Sequence, residues 1–261
     1  MATSDEGATV DDRIERERAF HDERFADDSA RAAAGRFYDL AVGASAAYTD
    51  ALESVGAGAR TLEYGAGNGG LSFGLAQRGA DAIAIDISSV AVDQVNDMVG
   101  EMGLDPARCR AVVMDAEHLE FPDDSFDVVL GSGILHHLDL DASFREVARV
   151  LAPGGRAVFF EPMGHNPAIN LYRRLTPAMR SPDEHPLRMS DIAAARRWFG
   201  HTETDFHVLS TFAAVPFRRA SFYRRLIDRL NAFDSRVFRW LPWLSRYAWI
   251  VVITLSDPRP T

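Results

Sequence analysis

Short apolar runs alternate with longer amphipathic stretches through the middle of the chain. Five runs with few charged residues follow one another: 59–65, 81–88, 110–115, 126–133 and 155–162. Near-continuous apolar strands are typical of a parallel sheet that helices cover on both faces. Helical patterns lie between them, at 69–79, 89–102 and 141–151. This alternation predicts an α/β fold with a doubly wound, mostly parallel sheet.

The flanking regions add helices at one end of the chain and two further strands at the other. Residues 11–55 and 190–199 have helical patterns, and residues 204–212 and 247–255 are the last two candidate strands, which makes seven in all. We therefore predict three parts, listed in chain order: an N-terminal helical cap (1–55), a ligand-binding core (56–160), and the rest of the sheet with insertions near 162–200 and 213–246 (161–261).

Composition and charge exclude several classes of protein. The net charge of −10 argues against a general binder of nucleic acid. A single cysteine, Cys109, rules out an internal disulfide and suits a reducing compartment. The longest apolar run, 247–255, is too short to span a membrane, and the first residues lack the pattern of a secretory signal. We expect a cytoplasmic protein.

The stretch LEYGAGNGG, residues 62–70, follows the first strand and precedes a helix. Glycine-rich turns of this kind let backbone N–H groups approach a ligand closely. Its glycines fit both GxGxxG, typical of dinucleotide sites, and ExGxGxG. Glu63 favours a ligand with a positive ammonium group, because a carboxylate would repel a pyrophosphate. Asp86, at the end of the second strand, is placed to bind ribose hydroxyls in either class.

Four segments in this order resemble the class I S-adenosylmethionine-dependent methyltransferases, which have a Rossmann-like fold. They are LEYGAGNGG, IDIS with Asp86, MDAEHLEFPDDSFDVVLGSGILHHL across the third and fourth strands, and LAPGGRAVFFEP leading into the fifth. The resemblance covers roughly residues 60–160 and is greatest to the type 11, quinone-methylase-like branch that acts on small molecules. It implies a methyltransferase with S-adenosylmethionine as cofactor.

The resemblance also implies roles for individual residues, each at a matching position of this sequence. The methionine part of the cofactor would contact Gly65, Gly67, Glu63 and Ser132, and its carboxylate would contact Tyr38. The ribose and adenine would contact Asp86, Ile87, Asp115 and Ala116. Asp86 and Asp115 also stand where ordinary turn residues occur.

Ionisable side chains gather beyond the fourth and fifth strands, at the edge where ligands bind in such sheets. His136 and His137 follow the fourth strand, Glu161 ends the fifth, and His165 comes shortly after. We predict that His136 or His165 is the general base or the residue that orients the acceptor, with Glu161 in the same catalytic group. For His137, a role in packing is the better interpretation than a catalytic role. None of these histidines has a spacing such as HxxxH, so we predict no metal site.

Residues 218–246 combine eight arginines with only two acids, interleaved with aromatic residues. One interpretation is a lid on the acceptor cleft, with arginines extending to solvent. The other is a helix at an anionic membrane surface, at the inner face of the membrane. Both are compatible with a small or lipid-like acceptor.

Two other functions stay open at this point. A nicotinamide-dependent oxidoreductase is favoured only by GxGxxG, and the chain has no lysine for a TyrxxxLys pair. A protein that binds S-adenosylmethionine without catalysis would have the same core. The sequence indicates neither the acceptor, nor whether oxygen, nitrogen or carbon is methylated, nor the oligomeric state.

Overall fold

A seven-stranded sheet forms the centre of the computed structural model, which describes residues 10–26, 39–67, 69–176 and 184–260. The strands are β1 (Arg60–Tyr64), β2 (Asp81–Asp86), β3 (Cys109–Val113), β4 (Phe126–Ser132), β5 (Leu151–Pro162), β6 (Phe199–His207) and β7 (Ile250–Pro258). Their order across the sheet is β3-β2-β1-β4-β5-β7-β6. β1 to β5 are parallel, and β7 runs antiparallel to β5 and β6. The predicted fold class is confirmed.

Helices connect the strands and cover both faces of the sheet. They are α1 (Val10–Ala26), α2 (Val42–Ala51), α3 (Ser72–Gln77), α4 (Ser89–Glu101), α5 (Leu140–Val150), α6 (Pro167–Leu175), α7 (Met189–Ala194) and α8 (Tyr223–Trp240). Short 3₁₀ turns supplement them, including one at Leu135–His137 directly after β4. Among the described residues, no helix combines the length and the apolar character needed to cross a membrane.

The central strands are apolar almost throughout because each face packs against helices. Val129 of β4 and Phe159 of β5 belong to the core on one face of the sheet. Their neighbours Leu130 and Phe160 belong to the core on the other face. Burying one such side chain stabilises the fold by roughly 1.5–3 kcal/mol, so the sheet is a rigid base for the loops at its carboxyl edge.

The strand order places a crevice beside β1. From β1 the chain continues to β2 and β3 on one side, and then crosses to β4 and β5 on the other. Loops that leave the carboxyl ends of β1 and β4 therefore separate, and ligands bind at such switch points. This is the edge at which the sequence predicts the ligand-binding residues.

The sixth strand is displaced from its predicted position. The apolar pattern predicts 204–212, whereas β6 is Phe199–His207. The buried carboxylate of Asp234 accepts hydrogen bonds from the backbone N–H groups of Leu209 and Ser210, which ends the strand. Val208 adopts a φ of 63°, a conformation that a strand excludes. The predicted domain boundary at 160/161 falls within β5.

Candidate active site

The glycine loop after β1 adopts backbone conformations that side chains disfavour. Gly65, Gly67 and Gly69 have φ values of 74°, 48° and 82°, which glycine reaches without a Cβ clash. The N–H of Ala66 donates to the carbonyl of Ile85 (2.7 Å), which ties the loop to β2. The loop backbone therefore lies against the carboxyl end of the neighbouring strand.

Glu63 of β1 supports this loop from beneath. Its buried carboxylate accepts hydrogen bonds from the N–H of Leu71 (3.2 Å) and from the N–H (2.9 Å) and hydroxyl of Ser72. Burial raises the pKa of Glu63, and these hydrogen bonds oppose the rise. The carboxylate thus stabilises the start of α3, and it also lines a cavity. Its contact with a cofactor amino group stays a prediction.

A cavity of about 140 Å³ lies between the glycine loop and α1. It brings together seven of the predicted cofactor-binding residues: Gly65, Gly67, Asp86, Ile87, Asp115, Ala116 and Ser132. Asp86 accepts hydrogen bonds from the N–H of Gly67 (3.1 Å) and the N–H of Ser88 (2.9 Å). Asp115 accepts one from the N–H of Glu117 (2.9 Å). Tyr38 lies outside the described residues.

A second, larger cavity of about 770 Å³ adjoins the first. The two share residues of the glycine loop, of the turn after β4 and of α1, namely His21, Phe25, Gly65, Gly67, Ser132, Gly133 and His137. Apolar side chains such as Ile169 and Trp249 line the larger cavity together with ionisable ones such as His136 and Arg173. A ligand that extends from one cavity into the other would meet both a polar and an apolar environment.

His136 and Glu161, two of the predicted catalytic residues, form a buried pair. Oε2 of Glu161 lies 2.9 Å from Nδ1 of His136, and Oε1 accepts hydrogen bonds from the N–H groups of Ile134 (2.9 Å) and Leu135 (2.8 Å). An ionised carboxylate only accepts hydrogen bonds, so a hydrogen bond at this contact places a ring proton on Nδ1. Nε2 of His136 is then the basic atom at the larger cavity.

His165 is not part of this arrangement. It lines a separate surface cavity with Arg188, Trp243 and Arg246, because the chain turns away from the sheet edge after β5. Burial and the nearby arginines lower its pKa. Of the two histidines predicted as the base, the structure brings only His136 to the cavities described above.

Helix α1 supplies site residues that the sequence analysis missed. Nη2 of Arg13 lies 2.6 Å from both carboxylate oxygens of Glu117, and Nη1 donates to the carbonyl of His137 (3.1 Å). Glu17 and His21 line the smaller cavity beside His137. Their spacing of four residues on one helix was the signal available in the sequence.

Histidines and acids of this region form two groups with the geometry to hold a metal ion. One consists of Glu17, His21 and His137, and the other of His136, His137 and Glu184; within each group the potential ligand atoms lie within 4.8 Å of one another. Burial lowers the pKa of His137 more than the Glu17 carboxylate raises it. The prediction of no metal site was based on spacing among the rim histidines, without the contribution of α1.

Residues 218–246 do not line either cavity among the residues that the structure describes. Leu226, Ile227 and Leu230 of α8 pack on the core, and Trp240 and Trp243 are exposed by 79% and 63%. A lid on the acceptor cleft would line it, so the structure gives that interpretation no support.

Comparison with known proteins finds a methyltransferase domain within this chain. Residues 62–159 match the family model described as a methyltransferase domain. A sterol 4-C-methyltransferase (strm-1) of Caenorhabditis elegans is 31% identical over 101 residues, which are 38% of this chain and 30% of that protein. The ubiquinone/menaquinone biosynthesis C-methyltransferase UbiE of Idiomarina loihiensis is 32% identical over 123 residues, 44% of this chain and 47% of the relative. The chain thus spans less than half the length of these two curated relatives.

Solved structures show the same fold. The YcgJ protein of Bacillus subtilis superposes with a TM-score of 0.54 at 19% identity, covering 82% of this chain and 98% of that one. Geranyl diphosphate C-methyltransferase of Streptomyces coelicolor gives a TM-score of 0.58 at 16% identity, and the superposition covers 83% of this chain and 79% of that one. Residues 62–159 thus carry a methyltransferase domain, and the chain has the same fold as these structures.

Proposed function

We propose that the protein transfers a methyl group from S-adenosylmethionine to a small or amphipathic acceptor. The observation that carries this proposal is the smaller cavity, where the ends of β1, β2, β3 and β4 bring seven of the predicted cofactor-binding residues together. When bound there, S-adenosylmethionine supplies an electrophilic methyl group on a sulfonium.

The residues present fit this cofactor. Gly65 and Gly67, which have positive φ values, line the cavity with backbone alone, as close approach of a ligand requires. Asp86 and Asp115 offer carboxylate oxygens to hydroxyl and amino groups of a nucleoside. The buried acid Glu63 suits the ammonium group of a methionine better than the pyrophosphate of a dinucleotide. The charges thus support S-adenosylmethionine over a nicotinamide cofactor.

We assign His136 as the general base and Glu161 as the residue that positions it. As the acceptor atom takes the methyl group, its proton would pass to Nε2 of His136, while Nδ1–H remains bonded to Glu161. Such a base serves an oxygen, nitrogen or acidic carbon acceptor. Glu161 itself has both oxygens engaged with protein donors, so it orients the ring.

The larger cavity supports an acceptor with an apolar body and a polar group. Ile169 and Trp249 offer apolar contacts, and Arg173 lines the same wall. Nη2 of Arg173 donates to Glu184, whereas the buried Nη1 has no hydrogen-bond partner within the described residues. Buried donors are normally paired, so we propose that an acceptor oxygen binds Nη1. Relatives named for sterol and quinone methylation are consistent with such an acceptor.

Calorimetric titration tests the cofactor assignment. The purified chain is titrated with S-adenosylhomocysteine and, separately, with NADH. Micromolar binding of S-adenosylhomocysteine alone is the expected result. Binding of NADH alone would overturn the proposal and favour an oxidoreductase. A chain that binds S-adenosylhomocysteine but methylates none of a panel of sterols, quinones and isoprenoid acids would point to the non-catalytic alternative.

We further propose that residues 218–246 contact an anionic membrane surface at its periphery. The segment carries eight arginines, and the exposed Trp240 and Trp243 are side chains that favour the headgroup region. Co-sedimentation should show binding to phosphatidylserine vesicles at low salt and much less binding to phosphatidylcholine vesicles. Absence of binding to the anionic vesicles would contradict the proposal.

A further inference from the structure

Helix α1 and the turn after β4 meet at a compact group of nitrogen and oxygen ligands. Glu17 and His21 lie one turn apart on α1, and His137 faces them from the 3₁₀ turn. Oε2 of Glu17 is 3.4 Å from Nε2 of His21 and 3.2 Å from Nδ1 of His137. Glu17 and His137 are almost fully buried, with 6% and 7% of their surface exposed.

We propose that Glu17, His21 and His137 bind one divalent transition-metal ion, with Zn²⁺ as the reference ion. Two imidazoles and one carboxylate are a ligand set that zinc sites use when a fourth position stays open, and other first-row metals bind similar sets. The inference concerns metal binding alone and does not depend on the proposed methyl transfer.

The interatomic distances favour a shared ion over a simple ion pair. Zinc lies about 2.0–2.2 Å from nitrogen and oxygen ligands, so two ligands of a tetrahedral ion are about 3.3 Å apart. The separations of 3.4 Å and 3.2 Å match that value. Charge-assisted hydrogen bonds are shorter, about 2.7–2.9 Å. Nδ1 of His137 is buried and makes no hydrogen bond in the described part of the chain.

Contacts of other residues hold α1 in place beside His137. Arg13 binds Glu117 and the carbonyl of His137, the hydroxyl of Ser88 donates to Asp22 of α1, and the amide of Gln94 donates to the carbonyl of Phe25 (3.1 Å). These bonds fix α1 against three different elements. The helix therefore holds Glu17 and His21 in a fixed position beside His137.

The position of the group suggests what the ion does. All three ligands line the cavity that contains Asp86 and Asp115. With three protein ligands, the ion keeps a position for water or for an oxygen of a bound molecule. It would also link α1 to the sheet edge, so metal binding should stabilise the fold.

Calorimetry and thermal unfolding test the site directly. The full chain, free of affinity tags, is treated with a chelator, dialysed and titrated with ZnCl₂. We expect one ion per chain, a micromolar or lower Kd, and a Tm that rises with zinc concentration. His21→Ala and Glu17→Gln should each weaken binding by more than about 100-fold, beyond the effect of losing an outer hydrogen bond to a ligand.

Two further variants distinguish zinc binding at this site from zinc binding at other histidines of the chain. His201→Ala removes an exposed histidine whose Nε2 lies 2.9 Å from Glu203, and it should leave binding unchanged. Glu184→Gln, in the second histidine group, should also leave it unchanged. The proposal is overturned if the wild-type chain shows no saturable binding, if His201→Ala or Glu184→Gln abolishes it, or if neither α1 variant weakens it. Unfolding measured without metal shows whether each variant is folded.

Discussion

The two sides of the candidate site are built in different ways. On the proposed cofactor side, the predicted ligand-binding groups follow directly from strand ends: Gly67 and Asp86 are joined by a hydrogen bond across 19 residues of sequence. On the acceptor side, α1, the turn after β4 and α6 come together from distant parts of the chain. Arg13 and His137, which join two of these elements, are 124 residues apart.

This difference determines which substitutions each side of the site tolerates. The cofactor side depends on backbone geometry, because its glycines have conformations that other residues reach only with strain. The acceptor side depends on side-chain chemistry held by packing, as in the buried pair of His136 and Glu161. Substitutions on the first side should therefore impair cofactor binding, and substitutions on the second should impair turnover.

The largest effect is expected from Glu161→Gln on the acceptor side. The glutamine amide would donate to Nδ1 of His136, so the ring proton would move to Nε2 and the base would be lost. We expect kcat to fall about 10³-fold with less than a twofold change in the Kd of S-adenosylhomocysteine.

Nitrogen-15 NMR of the imidazole can check the tautomer before an acceptor is known. The wild-type ring should carry its proton on Nδ1, and the variant ring on Nε2. Glu203→Gln, which alters an exposed His–Glu pair on β6, is the control and should change neither the His136 signals nor turnover. An unchanged tautomer in Glu161→Gln would refute the positioning role.

Gly70→Ala should have the next largest effect, on the cofactor side. A Cβ at this position would lie 2.1 Å from Oε1 of Glu63, and Glu63 is fixed by its bonds to Leu71 and Ser72. Overpacking of this kind costs about 1–3 kcal/mol. We expect the Kd of S-adenosylhomocysteine to rise about 100-fold, which is about 2.7 kcal/mol of binding free energy.

Gly74→Ala is the matched control for that substitution. Gly74 is an exposed position of α3, and a Cβ there meets no atom within 4 Å. Alanine should stabilise the helix by up to about 1 kcal/mol and leave cofactor binding unchanged. Equal effects of the two substitutions on Kd would show that the contact with Glu63 is not what shapes the loop.

A smaller effect is expected from Asp86→Asn. Both carboxylate oxygens accept backbone hydrogen bonds, from Gly67 and Ser88, and asparagine keeps only one oxygen. One N–H group loses its partner, at a cost of about 1–3 kcal/mol, so we expect the Kd of S-adenosylhomocysteine to rise about tenfold. Asp81→Asn, at the other end of β2, breaks only an exposed pair with Arg108 and should not change this Kd.

The sequence predicted the cofactor side better for a physical reason. A positive φ restricts a position to glycine almost independently of distant residues, so Gly65 and Gly67 are recognisable locally. The six strands other than β6 are likewise visible as apolar runs. The end of β6 is different, because it depends on Asp234, a residue of α8 that lies 25 positions beyond Leu209.

The acceptor side could be predicted only in part. His136 and Glu161 were recognisable because consecutive strand ends meet at one edge of a parallel sheet. Glu17 and His21 carried only a helical spacing, and their position beside His137 depends on how α1 docks through Arg13. His165 shows the converse: proximity in sequence to Glu161 did not place it at the cavities.

The smallest effect on the fold is expected from replacing both Trp240 and Trp243 with serine. Both side chains are largely exposed, and surface substitutions usually change the free energy of unfolding by less than about 0.5 kcal/mol. Urea unfolding should therefore be nearly unchanged, and so should the Kd of S-adenosylhomocysteine, since neither residue lines its cavity. Binding to phosphatidylserine vesicles should nevertheless fall several-fold.

Trp249→Ser is the control, because Trp249 lies in the core with 8% of its surface exposed. Loss of this buried aromatic side chain should destabilise the fold by about 3–5 kcal/mol. If the double variant binds vesicles as well as the wild type does, the arginines alone account for binding and the tryptophans have no part in it.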